Sequence, residues 1–241
     1  MQQTGNTNYS TSSPQTNHTF QEEGEIKEIE KLQYITQETS TLTHLDCVRE
    51  ACISGVKWIQ LRVKDKSVDE CLQIAKEARI ICDLYDAKLI INDHVEVALH
   101  SNADGVHLGK NDLTAQEARK IIGSNKIIGG TANTTEDIQH LINEGIDYIG
   151  LGPFKFTETK KNLSPVLGIE GYYKISQALF NLLKESKLND NIPPIIAIGG
   201  ITMEDISELM KTGIKGIAVS GLLTNSFELT TQISTLINQK T

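Results

Sequence analysis

Six short apolar runs in this chain stop at a cluster of polar and glycine residues. The clusters are Gln60-Leu61-Arg62-Val63-Lys64, Asn92-Asp93, His107-Leu108-Gly109-Lys110-Asn111-Asp112, Gly150-Leu151-Gly152-Pro153 leading to Thr157-Glu158-Thr159-Lys160, Ala197-Ile198-Gly199-Gly200, and Ala218-Val219-Ser220-Gly221. Runs such as Lys88-Leu89-Ile90-Ile91 and Ile195-Ile196-Ala197-Ile198 precede them. Short, continuous β-branched runs describe parallel strands buried on both faces. Functional residues gathered at strand ends, strand after strand, describe a (β/α)8 barrel, whose active site is built at that end. An open, doubly wound sheet is the alternative arrangement of the same units.

The expected strands are Gln33–Thr36, Trp58–Arg62, Leu89–Asn92, Gly105–Leu108, Lys126–Gly129, Tyr148–Gly152, Ile195–Ile198 and Gly216–Val219. Helical segments lie between them. Ser67-x-x-Glu70 and Thr114-x-x-Glu117 are capping boxes, in which hydroxyl and carboxylate satisfy each other's backbone N–H. They open helices over Cys71–Tyr85 and Ala118–Ile122, and Thr202 caps one over Glu204–Lys211. Gly55, Gly145 and Gly213 each stand just before a strand. From Pro153 to Gly168 no periodicity appears, and a loop this long in a compact domain is usually functional.

The chain has 241 residues, close to the roughly 250 of one such barrel. Residues 1–30 are rich in Gln, Thr, Asn and Ser and read as a disordered tail, leaving 31–241 as a single catalytic domain. A net charge of −8 argues against a nucleic-acid or anionic-membrane surface. No stretch approaches the roughly 20 apolar residues of a membrane span. Cys47, Cys52, Cys71 and Cys82 match no zinc spacing and read as buried reduced thiols, in keeping with a cytoplasmic location. The sequence leaves open whether the chain forms a homo-oligomer.

The chemistry of the clusters is that of phosphate and metal. Arg62 and Lys64 alternate with Gln60 along one strand end and share a face. Two cations there call for an anionic partner such as a diphosphate. Asp93 and Asp112 end neighbouring strands and suit Mg²⁺, which takes a few protein oxygens together with substrate phosphate. Taken singly, either carboxylate reads more readily as a helix cap or a solvated loop residue; it is the pair beside Arg62 and Lys64 that points to a metal. Gly199-Gly200 and Ser220-Gly221 follow the seventh and eighth strands, where barrels hold phosphates on backbone N–H groups. His107 lies within a strand and reads as a packed, hydrogen-bonded residue. Gly150-Leu151-Gly152 lacks the third glycine of a dinucleotide fingerprint.

At these residues the chain resembles the thiamine-phosphate synthase family, over Gln33 to about Leu236. Asp147-Tyr148-Ile149-Gly150-Leu151-Gly152-Pro153 with Thr157-Glu158-Thr159-Lys160 carries the most specific part of the likeness. The resemblance implies Mg²⁺-dependent coupling of 4-amino-2-methyl-5-hydroxymethylpyrimidine diphosphate to a thiazole phosphate or its carboxylate, with release of diphosphate. It implies that Gln60, Arg62, Lys64, Asn92, Thr131 and Lys160 hold the pyrimidine diphosphate and that Asp93 and Asp112 bind Mg²⁺. Thr157, Thr159, Gly200, Ser220 and Gly221 would hold the thiazole phosphate. Arg62, Lys64, Thr131 and Lys160 would act in catalysis. Three positions depart from the family pattern: Thr131 for serine, Lys110 for glutamine, which adds a charge beside the metal, and Ser220-Gly221 for Val-Ser. A related thiazole tautomerase would place a histidine at position 133, where this chain has Asn133. A non-catalytic phosphate-binding barrel is the other reading, and the intact charged set argues against it.

Overall fold

The computed structural model describes residue 1 and residues 27–157, 164–185 and 192–239. Eight parallel strands close into a barrel in chain order. They are β1 (Leu32–Ile35), β2 (Trp58–Leu61), β3 (Lys88–Asn92), β4 (Gly105–Leu108), β5 (Ile127–Ala132), β6 (Tyr148–Leu151), β7 (Ile195–Ile198) and β8 (Gly216–Val219). The β1–β8 pairing, Gln33 beside Ala218, closes the ring and removes every sheet edge. The helices are α1 (His44–Ile53), α2 (Val68–Leu84), α3 (Val95–His100), α4 (Ala115–Ile122), α5 (Thr135–Asn143), α6 (Gly168–Lys184), α7 (Ile206–Lys211), α8 (Gly221–Asn225) and α9 (Thr230–Asn238). The expected (β/α)8 architecture is thus present.

Both expected capping boxes form: the Ser67 and Thr114 hydroxyls accept from the backbone of Glu70 and Glu117. Two more, Thr43 with Asp46 and Thr134 with Asp137, start α1 and α5. All four cysteines lie on α1 and α2, free and buried. Among the described residues no helix is long and apolar enough to cross a membrane.

Alternation along the strands sorts side chains into two layers. Ile59, Leu61, Leu89, Ile91, Val106, Leu108, Ile149 and Ile217 face outward and pack under the helices. Ile35, Trp58, Ile90, Ile127, Tyr148, Ile196 and Ala218 face inward and fill the barrel. Trp58 meets Tyr148 edge to face, with ring centroids 4.8 Å apart. Gly129 makes room for that ring, because a Cβ there would lie 2.1 Å from Tyr148.

Two boundaries differ from the sequence reading in a way that matters. The sequence ends β5 at Gly129, but the strand runs on to Ala132. The Gly129-Gly130 pair is not a strand stop. It accommodates Tyr148 on the inside and Leu141 and Ile146 on the outside. Thr131 therefore belongs to the strand, paired with Gly150. The second difference lies at the N-terminus. Residues 27–30, which the sequence assigns to the tail, pack against the barrel's underside. Ile29 is 6% exposed and joins the interior core. Lys27 reaches Asp147 at 3.0 Å, and Glu30 accepts from Lys88 at 3.0 Å. Asp147 also takes the Arg119 guanidinium and the Ile128 N–H. The remainder of the tail, residues 2–26, lies outside the described residues.

This contrast yields a prediction. Deleting residues 2–26 is expected to leave activity and melting temperature near those of the full chain, since the segment is polar and aperiodic. Extending the deletion through Glu30 exposes the Ile29 pocket and removes two ion pairs, at a cost of about 2 kcal/mol. That corresponds to roughly 5 °C in a domain of this size, readable by calorimetry of both truncations. Equal melting points would contradict it.

Candidate active site

The described candidate residues assemble at the C-terminal mouth of the barrel. On β2, Gln60 is buried at 2% exposure, one layer below the rim, and gives its Nε2–H to Gln33 at 3.3 Å. Arg62 follows two residues on. Its backbone N–H donates to Thr36 Oγ1 at 3.0 Å, stapling the ends of β1 and β2 together. Burial lowers the Arg62 guanidinium pKa, an effect offset in part by the charges of Asp93 and Asp65. Lys64 stands further out and meets Asp93 at 2.5 Å.

Asp93 terminates β3 in a left-handed conformation, with φ of 65°. Its N–H donates to His107 O at 2.9 Å, so strand pairing holds the turn. Such a conformation is costly for a residue with a side chain and clusters at functional positions. Asp112 lies beyond β4 in a tight turn, where Oδ2 accepts the Gly109 N–H at 2.6 Å. The two carboxyls are within hydrogen-bonding reach of each other. Burial opposes ionisation of Asp93, but the Lys64 ammonium outweighs it and holds the carboxyl below its usual range. Asp112 is pushed upward by burial and by the Asp93 charge, against the pull of the Gly109 N–H. Two adjacent carboxylates raise each other's cost of charge, and a cation relieves it.

That donor set fits Mg²⁺. It consists of two carboxyl groups, which are hard oxygen donors, with a cationic flank for phosphate. Among the described residues no group of three or more His, Cys, Asp or Glu could cage a metal. Two carboxylates completed by substrate oxygens are the arrangement Mg²⁺ favours.

Lys110 does not add its charge beside this pair. It turns away to Asp137 at 2.5 Å, so the expected extra cation does not stand beside the two carboxylates. The Asp137 carboxylate already accepts the Asn133 and Thr134 N–H groups at the start of α5, so Lys110 completes a cap.

Thr131 sits on β5, next to β4 in the barrel, with its hydroxyl 3.0 Å from His107 Nε2. Asn92 ends β3 with 8% exposure. Gly199 and Gly200 both have positive φ, 96° and 66°. A Cβ on Gly200 would come within 2.7 Å of Phe156 O, so the β7 turn and the loop bearing Thr157 share one tight crossing. Phe154 and Lys155 N–H donate to Ile198 and Gly199 carbonyls at 2.8 and 2.9 Å. Ser220 Oγ meets Gln37 Oε1 at 3.1 Å, which brings the end of β1 to the β8 turn. Thr157 closes the described part of the long loop. Thr159 and Lys160 lie outside the described residues.

Sequence reading compares Asn133 only with a tautomerase histidine and misses the structural contact that its side chain makes. Asn133 is 5% exposed, and its Nδ2 group donates to Gly152 O and to Pro165 O, both at 2.9 Å. One amide thus ties together the two ends of the Thr157 loop. Leu167 and Gly168 N–H bonds to Pro153 and Phe154 carbonyls complete the clasp. No spacing rule reports such a contact. Asn133→Ala is expected to raise the Michaelis constant for the substrate held by the Thr157 loop about tenfold, because two carbonyls, one of them buried, lose their donor and the loop loses its fixed ends. Steady-state kinetics with that substrate varied checks this, and an unchanged constant would refute the clasp.

Fold and site together describe a (β/α)8 barrel with carboxylates and cations gathered at its mouth. The model of the family described as thiamine monophosphate synthase matches residues 32–223. The chain is 49% identical over 198 residues to the thiamine-phosphate synthase of Flavobacterium johnsoniae, covering 82% of this chain and 90% of that one. It is 50% identical over 207 residues to that of Flavobacterium psychrophilum, covering 85% and 97%. Among solved structures it resembles thiamine phosphate pyrophosphorylase from Pyrococcus furiosus, with a TM-score of 0.71, 31% identity, and coverage of 86% of this chain and 96% of that one. The chain belongs to the thiamine monophosphate synthase family, and it is a transferase of thiamine biosynthesis.

Proposed function

We propose that this chain couples 4-amino-2-methyl-5-hydroxymethylpyrimidine diphosphate to thiazole phosphate, forming thiamine phosphate and releasing diphosphate with Mg²⁺ bound. The observation that carries this reading is the Asp93/Asp112 pair set beside Lys64 and Arg62 at the barrel mouth. Asp93 and Asp112 would hold Mg²⁺, which supplies positive charge against the leaving diphosphate. Arg62 offers a planar fork and Lys64 a point charge to the same phosphates. By family resemblance Lys160 would join them.

The carbon–oxygen bond to diphosphate breaks, and diphosphate keeps the electron pair. The electron-rich aminopyrimidine carries the methylene cation that is left. The thiazole nitrogen then donates its lone pair to form the carbon–nitrogen bond. No protein nucleophile is needed. Binding, orientation and neutralisation of the leaving group do the work. Gly199-Gly200, Ser220-Gly221 and Thr157 would grip the thiazole phosphate, with Thr159 beside them on the loop, and Asn92 and Thr131 would orient the pyrimidine. Gln60 supports them from one layer below.

Incubating the protein with both substrates tests the reading. Thiamine phosphate and diphosphate should appear in equal amounts, and neither should form when the pyrimidine carries a free alcohol in place of diphosphate. Binding of both substrates without product would overturn it.

A further inference from the structure

A continuous polar chain crosses the otherwise apolar barrel interior. It begins at Gln60 on β2 and passes to Gln33 on β1, where Gln60 Nε2 donates to Gln33 Oε1 at 3.3 Å. Gln33 Nε2 donates to the Tyr148 hydroxyl at 3.2 Å. Tyr148 lies 2.9 Å from His107 Nδ1, and His107 Nε2 lies 3.0 Å from Thr131 Oγ1. Gln33, Gln60, Tyr148 and His107 are between 0 and 6% exposed. Polar groups are costly in such a core unless each has its partner, so five in a row require a reason.

The order of donors can be followed along the chain. Tyr148 oxygen already accepts from Gln33, and burial keeps the phenol protonated by raising its pKa. Its own hydrogen goes to the nitrogen it faces, His107 Nδ1. The imidazole hydrogen then stands on Nε2 and is given to Thr131 Oγ1. Thr131 therefore accepts on its inner side, and its hydroxyl hydrogen is turned toward the barrel mouth. The His107 ring is also held in place mechanically. It lies over Gly150, where a Cβ would come within 3.0 Å of the ring, and tilts against Tyr148 at a centroid distance of 5.5 Å.

We infer that Tyr148 and His107 are positioning residues that fix the Thr131 hydroxyl as a hydrogen-bond donor to the bound pyrimidine diphosphate. The inference rests on the proposed contact of Thr131 with that substrate. The acceptor it fits is a diphosphate oxygen or a pyrimidine ring nitrogen, both of which lack a hydrogen. If the relay were reversed, Thr131 would spend its hydrogen on His107 and present only lone pairs to an anion.

Three measurements on the full chain test this. In ¹⁵N NMR of the imidazoles, His107 should show a bare Nδ1 and a protonated Nε2. Tyr148→Phe keeps the ring and removes only the hydrogen given to Nδ1. It should blur that signature and lower kcat about tenfold, the scale of one misdirected hydrogen bond, while the Michaelis constant for thiazole phosphate holds. Thr131→Val should lower kcat similarly, and the double variant should be no slower than the worse single one. Should Tyr148→Phe fail to fold, His107→Gln and His107→Leu replace it. The glutamine amide can accept from Tyr148 and donate to Thr131, so His107→Gln should keep most of the kcat that His107→Leu loses. A parent histidine protonated on Nδ1, a Tyr148→Phe enzyme with parental kcat, or equal rates for the two His107 variants would each overturn the relay. A Thr131→Val enzyme with parental kcat would overturn it by removing the substrate contact. Failure of the parent to make product at all would instead fall on the proposed reaction.

Discussion

Asp112→Asn and Asp93→Asn are each expected to lower turnover by about two to three orders of magnitude, the several kcal/mol that a lost metal charge removes from the transition state. Stability should move differently. Asp112 has its carboxyl raised in the folded chain by burial and by Asp93. A raised acid favours folding in its protonated form, and that contribution is lost as pH rises through the folded value. At neutral pH the ionised Asp112 therefore works against the metal-free fold. Asparagine mimics the protonated group. Metal-free Asp112→Asn should melt slightly above the parent at pH 7, and the gap should close as the pH falls and the parent protonates. The gain is small because Asp112 stands at the solvent-exposed rim. Asp93→Asn should show the opposite sign: its carboxyl is held down by Lys64, and its contribution is present at neutral pH and lost in acid. Thermal melts of both variants across pH in chelator give the comparison. Parental turnover in either variant would overturn the assignment of that carboxylate to the metal.

Arg62→Met should be nearly as damaging to turnover, about a hundredfold, while costing little stability. Methionine keeps the apolar stem and removes the fork that spans two phosphate oxygens. The fold gains little from the charge itself, since burial lowers the guanidinium pKa. The loss should appear in kcat and in affinity for the pyrimidine diphosphate, and Arg62→Lys should recover only part of it, because an ammonium cannot engage two oxygens in one plane. Full recovery by lysine would show that only charge is needed there.

Much of this was legible in the sequence because the signals are local. Gly105–Leu108, Ile195–Ile198 and Gly216–Val219 coincide with β4, β7 and β8, since each is a β-branched or aliphatic run bounded by turn residues. Ser67 and Thr114 cap their helices because a capping box is written in four residues. His107 is the packed, hydrogen-bonded strand residue that its position implies. What was not legible depends on what lies across the barrel. Gly129-Gly130 reads as a stop until Tyr148, far along the chain, is seen to need the space. Lys110 reads as a cation beside the metal until Asp137 claims it. Asn133 carries no motif, and its role arises only when Gly152 and Pro165 fold to either side of it. Ile29 looks like an isolated apolar residue in a polar stretch, yet it plugs the barrel floor.

The most direct measurement is product formation as a function of free Mg²⁺, with thiamine phosphate and diphosphate quantified together. Turnover should rise with Mg²⁺ to a plateau, give the two products in equal amounts, and vanish in excess EDTA. Equal turnover with and without EDTA would contradict the account of Asp93, Asp112 and the cations that flank them.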